Sequence, residues 1–124
     1  MKVLIIEDEE ALRKVLQEKM EHSGFETFAA KDGDEGWDMA KSKNPDIILL
    51  DLVLPKRSGF DLLSMLKQDP ELKNIPIFIL SNLAEDESLK KALQMGAEDY
   101  FVKAQHPINE IVEKVKNRLL EKSR

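Results

Sequence analysis

Cysteine is absent from the 124 residues. That excludes disulfides, thiolate zinc centres and a cysteine nucleophile together, and leaves the redox compartment open. Histidine is scarce: His22 and His106 lie far apart, have no partner at metal-ligand spacing, and read as surface groups near helix ends. Long apolar runs are missing. The N-terminal stretch Val3-Leu4-Ile5-Ile6 is broken at once by Glu7 and Asp8, too short for a signal-peptide core and far too short to span a bilayer. A cytoplasmic protein without membrane attachment is expected. Positive charge is not in excess either. Nineteen Lys and Arg stand against 24 Asp and Glu, a net charge of −5, whereas duplex affinity comes mostly from cations that neutralise phosphates. Direct nucleic-acid binding is therefore not expected. Internal repeats, low-complexity tracts and linkers are lacking as well.

What is present suits one compact domain over residues 1–124, with no second domain after it. Apolar residues make up 42% and charged residues 35%, a balance that argues against disorder. Five short apolar runs recur, at residues 3–6, 25–30, 47–50, 77–80 and 100–102. The first, third and fourth are almost wholly apolar, as parallel strands buried on both faces require. The second contains Glu26 and Thr27 and reads as an edge or near-edge strand. Helical spacing separates the runs. Ala11, Leu12, Val15, Leu16 and Met20 form one stripe, stopped by Gly24. Gly36, Trp37 and Ala40 mark a second helix, entered through Asp32-Gly33-Asp34 and ended near Asn44-Pro45. Phe60, Leu63 and Leu66 give a third, and Leu89, Ala92 and Leu93 a fourth that closes at Gly96. Ile108, Ile111, Val112, Val115 and Leu119 give a fifth, begun at Pro107 and ending in Glu121-Lys122-Ser123-Arg124. The methionines and Trp37 read as core filler. Strict alternation of strand and helix predicts an α/β fold: a five-stranded parallel sheet, doubly wound as (βα)5.

In such a sheet ligands bind beyond the carboxyl ends of the strands. The first run ends in Glu7-Asp8, the third in Asp51, the fourth in Ser81 and the fifth in Lys103. Three carboxylates, a hydroxyl and an ammonium thus converge on one rim. Carboxylates so crowded repel one another and raise each other's pKa unless a cation lies among them. A hard divalent ion, Mg²⁺ above all, suits oxygen ligands and phosphate oxygens. Asp51 could then attack a phosphoryl group and form an acyl phosphate. The magnesium ion, Lys103 and Ser81 would hold the equatorial oxygens during transfer.

The motifs that carry this set are Val3-Leu4-Ile5-Ile6-Glu7-Asp8-Glu9, the stretch from Pro45-Asp46 through Asp51 to Pro55, Gly59-Phe60, Ile77 to Ser81, and Gly96-Ala97-Glu98-Asp99-Tyr100-Phe101-Val102-Lys103. In this order and spacing the chain resembles the receiver domains of bacterial two-component response regulators, over its whole length. The resemblance implies the flavodoxin-like strand order 2-1-3-4-5, the order of chemotaxis regulators. It implies Asp51 as phosphoacceptor, with Mg²⁺ held by Asp8, Asp51 and the Val53 carbonyl and with Glu7 close by. Ser81 and Tyr100 would be the switch pair and Lys103 the partner of the phosphoryl group. A histidine kinase or phosphotransfer protein would be the donor. A downstream protein would read the face made by the fourth helix, fifth strand and fifth helix. Such a domain is no enzyme beyond its own phosphorylation and dephosphorylation. The residues two positions after Asp51 and Ser81, Val53 and Leu83, would flank the path of the hydrolytic water. Both are apolar, so slow self-dephosphorylation is expected.

Four departures stand out: Glu7 for the usual Asp, Ser81 for Thr, Asn82 for a small residue, and Ala104 where many members have a cis proline. A cis bond before Ala104 would cost roughly 3–4 kcal/mol. An aspartyl-phosphate phosphatase of the haloacid-dehalogenase type is the alternative enzyme reading. That class carries a second Asp two residues on, where this chain has Val53. A flavodoxin-like cofactor binder needs glycines or a hydroxyl in the first turn, and Glu7-Asp8-Glu9-Glu10 supplies neither. A receiver excised from a longer regulator also fits the sequence.

Overall fold

The computed structural model describes residues 1–83 and 85–122; Ser123 and Arg124, the expected end of the last helix, lie outside them. The elements are β1 (Lys2–Ile6), α1 (Glu10–His22), β2 (Glu26–Ala30), α2 (Gly33–Lys43), β3 (Ile47–Leu50), α3 (Gly59–Gln68), β4 (Ile77–Ser81), α4 (Asp86–Gln94), β5 (Asp99–Val102) and α5 (Ile108–Lys122). All strand pairs are parallel, in the order β2-β1-β3-β4-β5. The strand order reverses between β1 and β3, so the switch point lies where Glu7, Asp8 and Asp51 emerge. Register fixes that meeting: Ile6 pairs with Leu50, and the Asp51 N–H donates to the Ile6 carbonyl at 3.0 Å.

The apolar runs alternate between two cores, as the period of two requires. Leu4, Ile6, Ile48, Leu50, Ile77 and Ile79 face one side, against Leu62, Leu63 and Leu66 of α3, Ala40 of α2 and Ala92 of α4. Val3, Ile5, Ile47, Leu49, Phe78 and Leu80 face the other, against Leu16 and Met20 of α1 and Ile111, Val115 and Leu119 of α5. β3 and β4 are buried at every position, whereas edge strand β2 is buried only at Ala30.

Helix ends follow from local chemistry. Gly24, at φ +93°, lets the Phe25 N–H reach the Met20 carbonyl at 3.1 Å and its own N–H reach Glu21 at 2.9 Å, a left-handed stop that a Cβ would strain. Asp32 caps α2 by accepting from the Glu35 N–H, and Ser58 caps α3 from the Asp61 N–H. At Gly59 the backbone lies so close to the Asp51 carbonyl and Leu52 Cα that no Cβ fits, which packs the start of α3 against the chain leaving Asp51.

Trp37 packs partly buried on the core, as expected. The methionines do not all serve as filler. Met20 is buried, but Met1 is 45% exposed and the Met65 sulfur accepts from Arg57 Nη1 at 3.2 Å. A terminal residue has no facing layer to pack against. Every peptide bond of the described residues is trans, Lys103–Ala104 included. No described helix is long and apolar enough to cross a membrane.

Candidate functional site

Glu7 and Asp8 leave β1, Asp51 leaves β3, Ser81 closes β4 and Lys103 leaves β5. Lys103 is the hub. Its Nζ lies 2.6 Å from Glu7 Oε1, 3.0 Å from Asp51 Oδ2 and 3.7 Å from Glu9 Oε2. The approach to Asp51 is a hydrogen bond. The approach to Glu7 is an ion pair off the bonding direction, which leaves Glu7 Oε1 buried without a hydrogen-bond partner. Glu7 Oε2 accepts from the Glu9 N–H at 2.9 Å.

Glu7 is 1% exposed and Asp51 4%. Burial is the chief cause that pushes the Glu7 carboxyl up to about 7; the Asp51 charge adds to it, while Lys103 and the Glu9 N–H oppose it. Crowding was the expected cause, but desolvation comes first because β1 and its neighbours enclose the Glu7 side chain. At Lys103 burial opposes the charge. The ion pair with Glu7 and the hydrogen bond to Asp51 outweigh it and hold the ammonium above its ordinary value.

Two matching turns frame the rim. Asp51 Oδ1 accepts from the Val53 N–H at 3.1 Å, and Ser81 Oγ accepts from the Leu83 N–H at 3.3 Å. These bonds set Val53 and Leu83 beside the two polar groups they follow. Tyr100 faces inward, only 7% exposed, and its hydroxyl donates to the Leu83 carbonyl at 2.6 Å. It is thereby tied to the Ser81 turn, and burial pushes its phenol up. Asp8, Glu9, Asp51, Val53, Ser81, Asn82 and Lys103 line a cleft of about 280 Å³.

One oxygen each from Glu7, Asp8 and Asp51 lies within 4.8 Å of the others. A hard cation fits this donor set. All the donors are carboxylate oxygens, and the Glu7 carboxylate among them has a buried oxygen that lacks a hydrogen bond.

Two participants escaped the sequence reading. Arg13 Nη1 donates to the carbonyls of Glu7 and Asp8, at 3.0 and 3.3 Å. The only sequence signal was a cation six residues beyond an acidic turn. His106, read as a surface group, stands edge-on to Phe101 with centroids 5.4 Å apart, and its Nδ1 lies 3.0 Å from the Val102 nitrogen. β5 is an edge strand, and this ring satisfies an N–H that has no strand beside it. No spacing in the sequence announces such a contact.

The family model for the response regulator receiver domain matches residues 3–116. The chain belongs to that family. This receiver is 37% identical over 108 residues to the alkaline phosphatase synthesis transcriptional regulatory protein PhoP of Bacillus subtilis, covering 86% of this chain and 43% of PhoP. It is 37% identical over 101 residues to the polar-differentiation response regulator DivK of Brucella ovis, covering 82% of each. The receiver thus spans less than half of relatives such as PhoP and most of DivK. Among solved structures, the receiver domain of Francisella response regulator 1452 superposes with a TM-score of 0.88 at 31% identity, covering 99% of this chain and 98% of that one. The Mn²⁺-bound response regulator Rcp1 superposes at 0.83 with 27% identity, covering 97% and 94%. The strand order expected from the resemblance is the one observed.

Proposed function

We propose that Asp51 accepts a phosphoryl group from a phosphohistidine on a sensor kinase or phosphotransfer protein. The resulting acyl phosphate then changes a protein-binding face built from α4, β5 and α5. One observation carries this reading: a buried Asp51 carboxylate at the sheet's switch point, paired to Lys103 and sharing its rim with Glu7 and Asp8. In the transfer an Asp51 oxygen bonds to phosphorus as the P–N bond breaks, and the imidazole nitrogen keeps the electron pair. Lys103 neutralises charge on the phosphoryl oxygens. Asp8, Asp51 and the Val53 carbonyl would hold Mg²⁺, with Glu7 beside them; that Rcp1 binds Mn²⁺ supports an ion here. The ion would supply charge neutralisation at the phosphoryl oxygens. Position 53 is Val, which cannot move a proton, so nothing favours a phosphatase of the haloacid-dehalogenase type.

Ser81 and Tyr100 would relay the change. A charge-assisted bond from Ser81 to the phosphoryl group is worth roughly 1.5–3 kcal/mol. Made in one state only, it shifts the balance of states on the order of ten- to a hundredfold. It would replace the present Ser81–Leu83 turn, whose Leu83 carbonyl anchors Tyr100.

The test is intact-mass measurement after incubation with a small acyl phosphodonor and Mg²⁺. One phosphoryl group should be gained, and none in Asp51→Asn or in excess chelator. Full labelling of Asp51→Asn would overturn the assignment. Ser81→Ala should still be labelled yet show smaller amide shifts in α4 and β5 than the parent.

A further inference from the structure

We infer that Arg13 is a positioning residue for the cation site: it fixes the direction in which the Asp8 side chain leaves the backbone, without touching the ion. The inference rests on the reading of Glu7, Asp8 and Asp51 as that site.

Asp8 is exposed, and among the described residues its carboxylate has no hydrogen bond or ion pair to steer it. Its direction therefore depends on its backbone. The carbonyl of Glu7 belongs to the peptide unit before Asp8, and the carbonyl of Asp8 to the unit after it. Arg13 Nη1 bonds both, at 3.0 and 3.3 Å. With both flanking planes held, the Cα–Cβ direction of Asp8 is held as well. The turn is closed from a second side, where the Glu9 N–H donates to Glu7 Oε2. Arg13 is itself anchored, since its N–H donates to the Glu9 carbonyl at 2.9 Å as the first turn of α1. One residue thus starts the helix and reaches back over the turn that precedes it.

The guanidinium is directed at carbonyls and takes up none of the three carboxylates. It also lines, with Asp8, Glu10, Lys31, Asp32, Pro55 and Lys56, a cleft of about 480 Å³ beside the site. No other role is needed to account for its two bonds, yet bulk electrostatics assigns it the opposite effect. A permanent positive charge near a divalent ion repels the ion. If charge alone mattered, removing Arg13 would tighten cation binding. If positioning matters, removing it loosens binding, because Asp8 must then be ordered at the moment of binding. The two accounts differ in sign.

The experiment is a Mg²⁺ titration followed by amide shifts of residues around Asp8 and Asp51, for the parent, Arg13→Ala and Arg13→Lys, with folding checked by circular dichroism. Arg13→Ala should bind Mg²⁺ roughly five- to tenfold more weakly, the scale of losing two hydrogen bonds. Arg13→Lys, which keeps a donor and the charge, should lie closer to the parent than Arg13→Ala does. Arg13→Met keeps the aliphatic stem and replaces the alanine variant should that one unfold; the same weakening is expected. Unchanged or tighter binding in Arg13→Ala, or a lysine variant weaker than the alanine one, overturns the inference. Absence of saturable Mg²⁺ binding in the parent would instead overturn the proposed cation site, and the inference with it.

Discussion

The two rims of the sheet treat charge in opposite ways. At the amino-terminal rim Asp46, Glu98 and Lys67 each have partners of their own. Asp46, before β3, accepts the Lys2 N–H at 2.7 Å and lies 3.6 Å from Lys122 Nζ. Glu98, before β5, takes both arms of Arg118 at 2.7 and 3.0 Å, which holds its carboxyl below the ordinary range. Lys67 Nζ donates to the carbonyls of Lys73 and Ile75. At the carboxyl-terminal rim one ammonium, Lys103, stands against Glu7, Asp51 and the more distant Glu9. The second rim keeps an electrostatic imbalance that suits the proposed cation and phosphoryl group, while the pairs at the first hold neighbouring elements together.

The largest blow to that contrast is Lys103→Met. Two buried carboxylates would lose their shared cation, and breaking a buried pair costs roughly 3–5 kcal/mol. Protonation of Glu7 would soften the loss, so chemical denaturation should show it more fully at pH 8 than at pH 5. A loss below that of a surface pair would mean that the rim is not strained.

Glu7 gives the second test. Its carboxyl is pushed up to about 7 by burial, so the folded state holds this proton more tightly than the unfolded chain. The contribution to stability is greatest below the ordinary carboxylate value, falls as pH rises, and is gone above about 7. Glu7→Gln should remove that slope and raise metal-free stability at pH 7.5 by up to roughly 3 kcal/mol. Parallel stability–pH curves for the two proteins would count against it. In the parent, Mg²⁺ at 100 times its Kd should restore about 2.7 kcal/mol.

A kinetic test probes how the reactive rim treats water. Val53 and Leu83 bracket Asp51 and Ser81 through the two matching turns, and neither can orient a hydrolytic water. Decay of the phosphoprotein should be slow, and faster in Val53→Asn with Leu83→Glu. Equal decay rates would remove these two positions from the account of lifetime. The smallest effect belongs to the balanced rim. Arg118→Ala should cost about 0.5–1 kcal/mol, less at high salt, and leave phosphorylation unchanged.

Much of this was legible in the sequence because parallel strands leave a simple record. Runs buried on both faces are apolar without interruption, so the first polar residue after each run marks the carboxyl-terminal rim, as Glu7, Asp51 and Lys103 do. Contacts made through the backbone leave no such record. Arg13 acts on two carbonyls and His106 lies near the Val102 backbone nitrogen on an edge strand. Neither partner has a side-chain identity that a motif could reveal.

The sequence by itself determined the (βα)5 alternation, the helix stops at Gly24 and Gly96, and the polar groups delivered to one rim, because periodicity and turn chemistry are local. Only the tertiary structure decided how charge is shared there. Lys103 bonds Asp51 but meets Glu7 off the bonding direction, Glu7 is raised by burial more than by repulsion, and Arg13 is directed at carbonyls. Enclosure and bond direction depend on which elements pack around a group, and no spacing along the chain encodes them.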